Sequence, residues 1–416
     1  MAKIIILGAG NMGAYIAPNL ATEHDVTIAD YSQNVLDRIT DAKIKKVQSD
    51  LSKPENVTKL ATGADIVVSA LPEAFGYNAV KSVIVSGKNV VDISFWEQTE
   101  PKLAELDSLA KKKKVTAFID CGIAPGFSNG LVAFFDSLLK GKTKNASIYV
   151  GGIPKNKERG FFAPWSIAGL IEEYQRQALC VRNKKPKRVK ALSTVEKISF
   201  HQVGELEGGI TDGLRTLPFN LKHVSNMSEF TLRYAGHFSQ MKLLSEIGYF
   251  KQEEIKLGKD KATAYDVSQF LLKKIKNKSD YEIALKDAGF YEQSFFYECA
   301  NKKISPRKVA ADVLSKRWKM SPEDRDVLVM RVEADDGNTK YSSDIYGEHD
   351  GKNSAMALTT GGMAALATRL ILTKGFEDKG VFPLERAVKE KPEIINYFKD
   401  GLRNLGVSCS QQESKI

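Results

Sequence analysis

Residues 3–30, KIIILGAGNMGAYIAPNLATEHDVTIAD, constrain this chain more than any other stretch. An apolar run from Lys3 to Leu7 leads into Gly8-Ala9-Gly10-Asn11-Met12-Gly13, and Asp30 ends the next apolar run. In a strand–turn–helix–strand unit Gly8 permits the tight turn and Gly10 lets the backbone approach a pyrophosphate. Gly13 lets the helix pack closely on the strand. Asn11 and Met12 open that helix, whose N-terminus offers unpaired N–H groups and a positive dipole end to phosphates. Asp30 falls where a carboxylate accepts from both hydroxyls of an adenosine ribose. A carboxylate there repels a 2′-phosphate, and Tyr31, Ser32 and Gln33 follow it with no Arg or Lys. NAD is therefore expected rather than NADP.

The same alternation continues through residues 1–125, with strands expected at Lys45–Gln48, Asp65–Ser69, Asn89–Asp92 and Thr116–Ile119. Runs such as Ile66-Val67-Val68 are apolar throughout, as parallel strands buried on both faces require. The expected fold class is α/β: a Rossmann doubly wound parallel sheet with its crevice at the carboxyl ends of the strands. Asp50, past the third strand, would touch the adenine end, and Ala70, Leu71 and Pro72, past the fourth, would line the cofactor. All four also read as ordinary loop residues.

Beyond Gly126 the texture changes. Ala146–Val150, Ser193–Phe200 and Glu229–Tyr234 read as antiparallel strands between glycine-rich turns, so residues 126–350 are expected to form a second, α+β domain on an open mixed or antiparallel sheet. Residues 251–300, rich in Lys, Asp and Glu, read as a helical insertion. Ser354–Lys374 is an apolar helix expected to return to the first domain within residues 351–390, and residues 391–416 form a polar tail, frayed beyond Asn404.

Composition closes off other classes. The chain of 416 residues can hold two cores. No stretch resembles a membrane span or signal peptide. Cys121, Cys180, Cys299 and Cys409 have no metal-ligand spacing, which suits a reducing cytoplasm and gives no metal site. The net charge of +10 suggests nucleic acid only superficially. Lys111–Lys114 fall where a helix should end and complement its dipole. Asn183–Arg188 read as a turn, and neither run interleaves aromatics for base stacking.

Chemistry concentrates in Asp120-Cys121-Gly122-Ile123-Ala124-Pro125-Gly126, at the end of the sixth strand. An acid there can take a proton from an amine or orient a water. Alternatively, Asp120 caps a helix starting near Ser128.

Ile119–Gly130, Tyr149–Pro154, Thr231–Leu244, Met356–Gly361 and Gly380–Glu385 resemble the motifs of the saccharopine dehydrogenase family over roughly residues 1–390, the 251–300 segment being longer than in the family. Within that family Ala124-Pro125-Gly126 is most similar to the lysine 6-dehydrogenases, where glutamate-forming reductases carry Asp-Pro-Gly. The resemblance implies hydride transfer at a carbon–nitrogen bond: oxidation of the lysine ε-amine with NAD and release of ammonia. The alternatives are a saccharopine reductase and a non-catalytic NAD-binding protein. It also implies an amino-acid substrate and a homodimer. Asp120 becomes the favoured base and His237 the second candidate. Arg215 and Arg233 become candidates for the substrate carboxylate, and Trp165 and Ser166 line the pocket. One departure stands out. Ser94-Phe95-Trp96-Glu97 replaces the glycine- and histidine-rich stretch of the lysine enzymes, bordering the nicotinamide position.

Overall fold

The computed structural model describes residues 1–163 and 167–416. The first part runs β1 (Lys3–Leu7), α1 (Asn11–Ala21), β2 (Asp25–Asp30), α2 (Gln33–Leu36), β3 (Lys45–Gln48), α3 (Pro54–Thr62), β4 (Ile66–Ser69), α4 (Glu73–Val85), β5 (Asn89–Asp92), α5 (Glu100–Lys113) and β6 (Thr116–Ile119). Every residue of β4 and β6 is buried, as strands covered on both faces demand. The six strands pair in parallel in the order β3-β2-β1-β4-β5-β6. The order reverses between β1 and β4, which places the ligand crevice at their carboxyl ends. The lysine run behaves as its position implies. Lys111, Lys112 and Lys113 fill the last turn of α5, and Lys114 closes it at φ 57°.

The second part begins with α6 (Phe127–Leu138), β7 (Asn145–Pro154), α7 (Ile167–Gln175), β8 (Ala178–Arg182), β9 (Lys185–Val189), β10 (Val195–Phe200), β11 (Gly204–Ile210), α8 (Leu217–Asn220), β12 (Asn226–Arg233) and α9 (His237–Ile247). A helical lobe follows: α10 (Ala264–Leu272), α11 (Ser279–Asp287) and α12 (Pro306–Arg317). Its two-residue strands are β13 (Ile255–Lys256), β14 (Lys261–Ala262), β15 (Tyr297–Glu298) and β16 (Lys303–Ile304). The lobe has a core of its own, with Tyr249, Phe290 and Leu314 packed against Leu170 and Leu244 of α7 and α9. It is therefore docked on the sheet domain rather than appended to it.

The chain then forms β17 (Asp326–Asp335), β18 (Thr339–Glu348), α13 (Gly362–Leu372), β19 (Gly380–Pro383), α14 (Leu384–Glu390), α15 (Ile394–Asn404), β20 (Ser408–Cys409) and β21 (Gln412–Lys415). The second sheet has ten strands on the path β10-β11-β12-β7-β17-β18-β20, with β8, β9 and β21 attached.

Three expectations need correction. β12 and β7 pair in parallel, from Asn226 against Asn145 to Thr231 against Val150. No hairpin joins them; the chain makes a four-strand excursion and re-enters in the same direction. The segment returning to the first domain brings a strand as well as a helix: β19 pairs with β6 as the seventh strand of the first sheet. The tail is not frayed beyond Asn404, because β20 and β21 both pair with β18 and cover its edge. Asn183 and Lys184, at φ 51° and 64°, form the tip of the β8–β9 hairpin, while Lys185–Arg188 of that basic run belong to strand β9. The four cysteines are buried free thiols, and no described helix is long and apolar enough to cross a membrane.

Candidate active site

The glycine turn is shaped by contacts that only missing side chains permit. Gly8 sits at φ 96°, and a Cβ on it would lie 2.6 Å from the carbonyl oxygen of Ala70. A Cβ on Gly13 would lie 1.9 Å from the Gly8 carbonyl oxygen, so α1 packs on the turn with no room between. At Gly10 a Cβ would meet nothing within 4 Å. The turn is thus braced by Ala70, with Leu71 and Pro72 following, and open on the side where the first N–H groups of α1 emerge. Asp30 accepts the Ala9 N–H at 2.8 Å through Oδ2 and the Ser32 N–H at 2.9 Å through Oδ1. It braces the turn and presents a carboxylate at the end of β2. Asn11 and Arg38 line a cavity of about 850 Å³ with Ala163, Ile167, Ser315 and Trp318 of the second domain. A dinucleotide fits this arrangement. Asp50 stands in the loop after β3, its Oδ1 accepting the Ser52 N–H and O–H at 3.1 and 2.6 Å.

At the other end of the crevice β5 finishes in Asp92, and Asp120 follows directly after β6. Asp120 is 4% exposed and left-handed at φ 47°, a strained backbone of the kind that clusters at functional sites. Its Oδ2 accepts from Gln98 Nε2 at 2.7 Å and from Arg215 Nε at 3.0 Å. Arg215 Nη2 donates to the Trp96 carbonyl and reaches Asp120 Oδ1 at 3.5 Å. Asp120 caps no helix, since the residue before α6 is Gly126.

The Ser94–Glu97 departure builds much of this wall. Ser94 Oγ and Trp96 Nε1 donate to Asp92 at 2.6 and 3.1 Å, and burial pushes the Asp92 carboxyl up to about 7. Trp96 therefore turns inward, while Phe95, at φ 55°, lays its ring 3.9 Å from the Arg215 guanidinium. Arg176, at the end of α7, stands 5.2 Å from the same ring and donates to both oxygens of Glu73 at 2.5 and 2.6 Å. That pair ties the second domain to the first turn of α4.

Arg215 is itself left-handed, at φ 54°, and its loop is gripped from three elements. Thr211 Oγ1 and the Gly213 N–H donate to Glu229 Oε2 of β12 at 2.7 and 3.1 Å. Asn129 Nδ2 of α6 donates to the Leu214 carbonyl at 2.9 Å. Thr216 and Asn220 donate to Glu385 Oε1 of α14. Burial raises Glu229 to about 8 and Glu385 to about 7. The C-terminal motif thereby reaches the site through Glu385, and Thr360 of the π-helical turn Ala357–Gly361 packs beside Gly122.

The other candidates separate from this cluster. Arg233 is 2% exposed, and its Nε donates to the Tyr174 hydroxyl at 3.0 Å. That hydroxyl lies 3.0 Å from His237 Nε2. Burial first, then the Arg233 charge, holds the His237 pKa well below its usual value, which favours a neutral imidazole in this contact. The His237 ring packs on Phe161 and Trp318, with centroids 4.4 and 5.5 Å away, and lines a second cavity of about 750 Å³ with Arg159 and Arg317. It is half-buried, and it is bonded to nothing that Asp120 bonds. Trp165 and Ser166 lie outside the described residues. Sequence reasoning missed Gln98, Phe95, Tyr174, Glu229 and Glu385. Of these, Glu385 stood inside a recognised motif, and Phe95 inside the flagged departure.

Two family models match the chain: the saccharopine dehydrogenase NADP binding domain over residues 4–118 and the saccharopine dehydrogenase C-terminal domain over residues 122–407. The second match runs across the helical lobe. The chain is 26% identical to saccharopine dehydrogenase (NADP(+), L-glutamate-forming) of Saccharomyces cerevisiae, covering 96% of this chain and 98% of that one. It is 22% identical to the enzyme of the same name from Schizosaccharomyces pombe, covering 97% and 98%. The solved apo saccharopine dehydrogenase (L-Glu forming) from Saccharomyces cerevisiae superposes with a TM-score of 0.77 at 20% identity, covering 100% of both chains, and so shares the fold.

Proposed function

The chain belongs to the saccharopine dehydrogenase family of oxidoreductases acting on a C–N bond, and from that premise we propose that it splits saccharopine. The products are L-glutamate and the lysine-derived semialdehyde; the reverse condensation uses the same groups. The observation that carries the reading is the buried Asp120–Arg215–Gln98 cluster on the carboxyl edge of the dinucleotide sheet. The end-to-end matches to glutamate-forming enzymes support it.

A bound nicotinamide supplies the hydride acceptor in this chemistry. Asp120 takes the proton of the secondary ammonium, because only the neutral amine can release hydride from the adjacent carbon. Arg215 holds a substrate carboxylate: its Nε edge faces Asp120, and Nη1 has no hydrogen bond among the described residues. Once the C=N bond has formed, Asp120 is placed to orient water at that carbon. Addition of water and cleavage of the C–N bond then release the glutamate amine.

NAD is the dinucleotide we infer, because a carboxylate at the end of β2, as Asp30 provides, favours a ribose hydroxyl over the 2′-phosphate of NADP. The matched relatives carry NADP(+) in their names, and Arg38, which lines the same cavity as Asn11, is a cation that a 2′-phosphate could use. A second reading, lysine ε-amine oxidation, is favoured by Asp30 together with Ala124-Pro125-Gly126. The test is to incubate purified protein with NAD+ or NADP+ and either saccharopine or L-lysine, following nicotinamide reduction, glutamate and ammonia. Glutamate from saccharopine supports the first reading, ammonia from lysine replaces it with the second, and turnover of neither refutes both. A homodimer joined at the open β10 edge accords with the exposed, alternating face of that strand; analytical ultracentrifugation checks it.

A further inference from the structure

Gln98 is a side chain of this cluster with one end buried and unused. It is 9% exposed, and its Nε2 donates to Asp120 Oδ2 at 2.7 Å. A carboxylate only accepts, so that bond fixes which end of the amide faces Asp120. Oε1 is left as a buried acceptor with no hydrogen-bond partner among the described residues. The Ser69 and Thr143 hydroxyls share that condition, but a hydroxyl rotates to find a partner. An amide oxygen pinned through its own nitrogen cannot. A buried acceptor without a donor is costly, and this one stands beside the proposed base.

We propose that Gln98 is a substrate-contacting residue whose Oε1 accepts an N–H of the reacting amine, an inference that rests on the C–N reading above. A protonated secondary amine carries two N–H bonds. One points to Asp120, which removes that proton; the other points to Gln98. After the proton has moved, the nitrogen keeps a single N–H, and Gln98 fixes its direction and therefore that of the lone pair. As hydride leaves the adjacent carbon, that lone pair becomes the C=N bond. The remaining N–H, now on a cationic nitrogen, strengthens its bond to Oε1. Asp120 and Gln98 thus divide the two N–H bonds between them, one as proton acceptor and one as guide.

The N–H donor could also be the carboxamide of the bound dinucleotide, and the experiment separates the two sources. The full-length Gln98→Met variant, similar in shape and without an acceptor, is compared with wild type. The readouts are the pH profile of kcat/KM for saccharopine at saturating NAD+, and the Kd of NADH from fluorescence. The plateau of kcat/KM should fall at least about tenfold, as loss of a hydrogen bond to a developing charge implies, with NADH Kd within about twofold. A profile that slides along the pH axis with its plateau intact would show that Gln98 acts only through Asp120 and would overturn the proposal. So would a tenfold weaker NADH Kd with the amine parameters preserved, which would assign Oε1 to the carboxamide. Gln98→Ala carries the same expectation if the methionine variant does not fold. Wild-type protein inert toward saccharopine and lysine would bring down the C–N reading itself, a failure visible before any variant is made.

Discussion

Arg215→Lys probes the proposed carboxylate site with the least disturbance. In the structure the guanidinium is shared: Nε serves Asp120 at 3.0 Å, Nη2 serves the Trp96 carbonyl, and the plane stacks 3.9 Å from Phe95. Lysine keeps the charge and can retain the bond to Asp120, but it has no second arm for a substrate carboxylate and no plane to stack. A hydrogen bond to a charged group contributes about 1.5–3 kcal/mol, so losing one arm should raise the KM for saccharopine roughly 10- to 100-fold. The NADH Kd should stay constant, because no contact of Arg215 reaches the glycine turn. Arg215→Gln is the harsher companion. Both partners of the ion pair have side chains only 4% exposed, and removing one partner of a buried pair costs about 3–5 kcal/mol. For a chain of this length that is a melting temperature lower by about 3–6 °C. Initial rates of nicotinamide reduction, a fluorescence titration and a thermal melt report the three quantities. A saccharopine KM for Arg215→Lys within about threefold of wild type, in a protein that binds NADH normally, would refute the assignment.

Other perturbations bear on the remaining parts of the site. Asp120→Asn should lower kcat by about 10²–10⁴-fold, the usual worth of a general base, with NADH affinity kept; unchanged turnover removes Asp120 from the chemistry. Asp30→Ser, which removes the carboxylate from the ribose position while leaving Arg38 in place, should shift the ratio of kcat/KM values toward NADP+ by at least about tenfold. A ratio that does not move would locate dinucleotide choice elsewhere. Glu229 and Glu385 are raised by burial to about 8 and 7, so the folded state binds more protons than the unfolded chain above the ordinary carboxylate pKa. Their contribution to stability is complete below that pKa and is lost as pH rises through the folded values. Glu229→Gln preserves an oxygen for Thr211 and Gly213, and should flatten the decline in urea-unfolding stability between about pH 5 and 8. An unchanged slope would contradict the protonated clamp.

How much of this was legible beforehand follows the range of the forces involved. The glycine turn, its strand and helix, and Asp30 are local, and each job can be read from adjacent residues. Asp120 was legible as a position, the end of a buried strand, although its partners were not. Arg215 lies on a loop of the other domain, and Gln98 lies beyond an unusual loop with no motif around it. Their meeting depends on how two domains dock. The parallel pairing of β12 with β7, and the addition of β19 and β21 at sheet edges, are long-range outcomes too. Neither strand's own pattern distinguishes a parallel neighbour from an antiparallel one. His237 looked like a base because imidazole titrates near neutrality. In the structure it packs among Phe161, Tyr174 and Trp318, apart from Asp120, and such packing is not written in a five-residue motif.

The most direct measurement is a crystal structure of the protein with NADH and saccharopine bound. The account predicts a substrate carboxylate on Arg215, the secondary amine within hydrogen-bond distance of Asp120, and the adjacent carbon facing the nicotinamide. Saccharopine bound with its amine away from Asp120, or with its carboxylates on other cations, would contradict it.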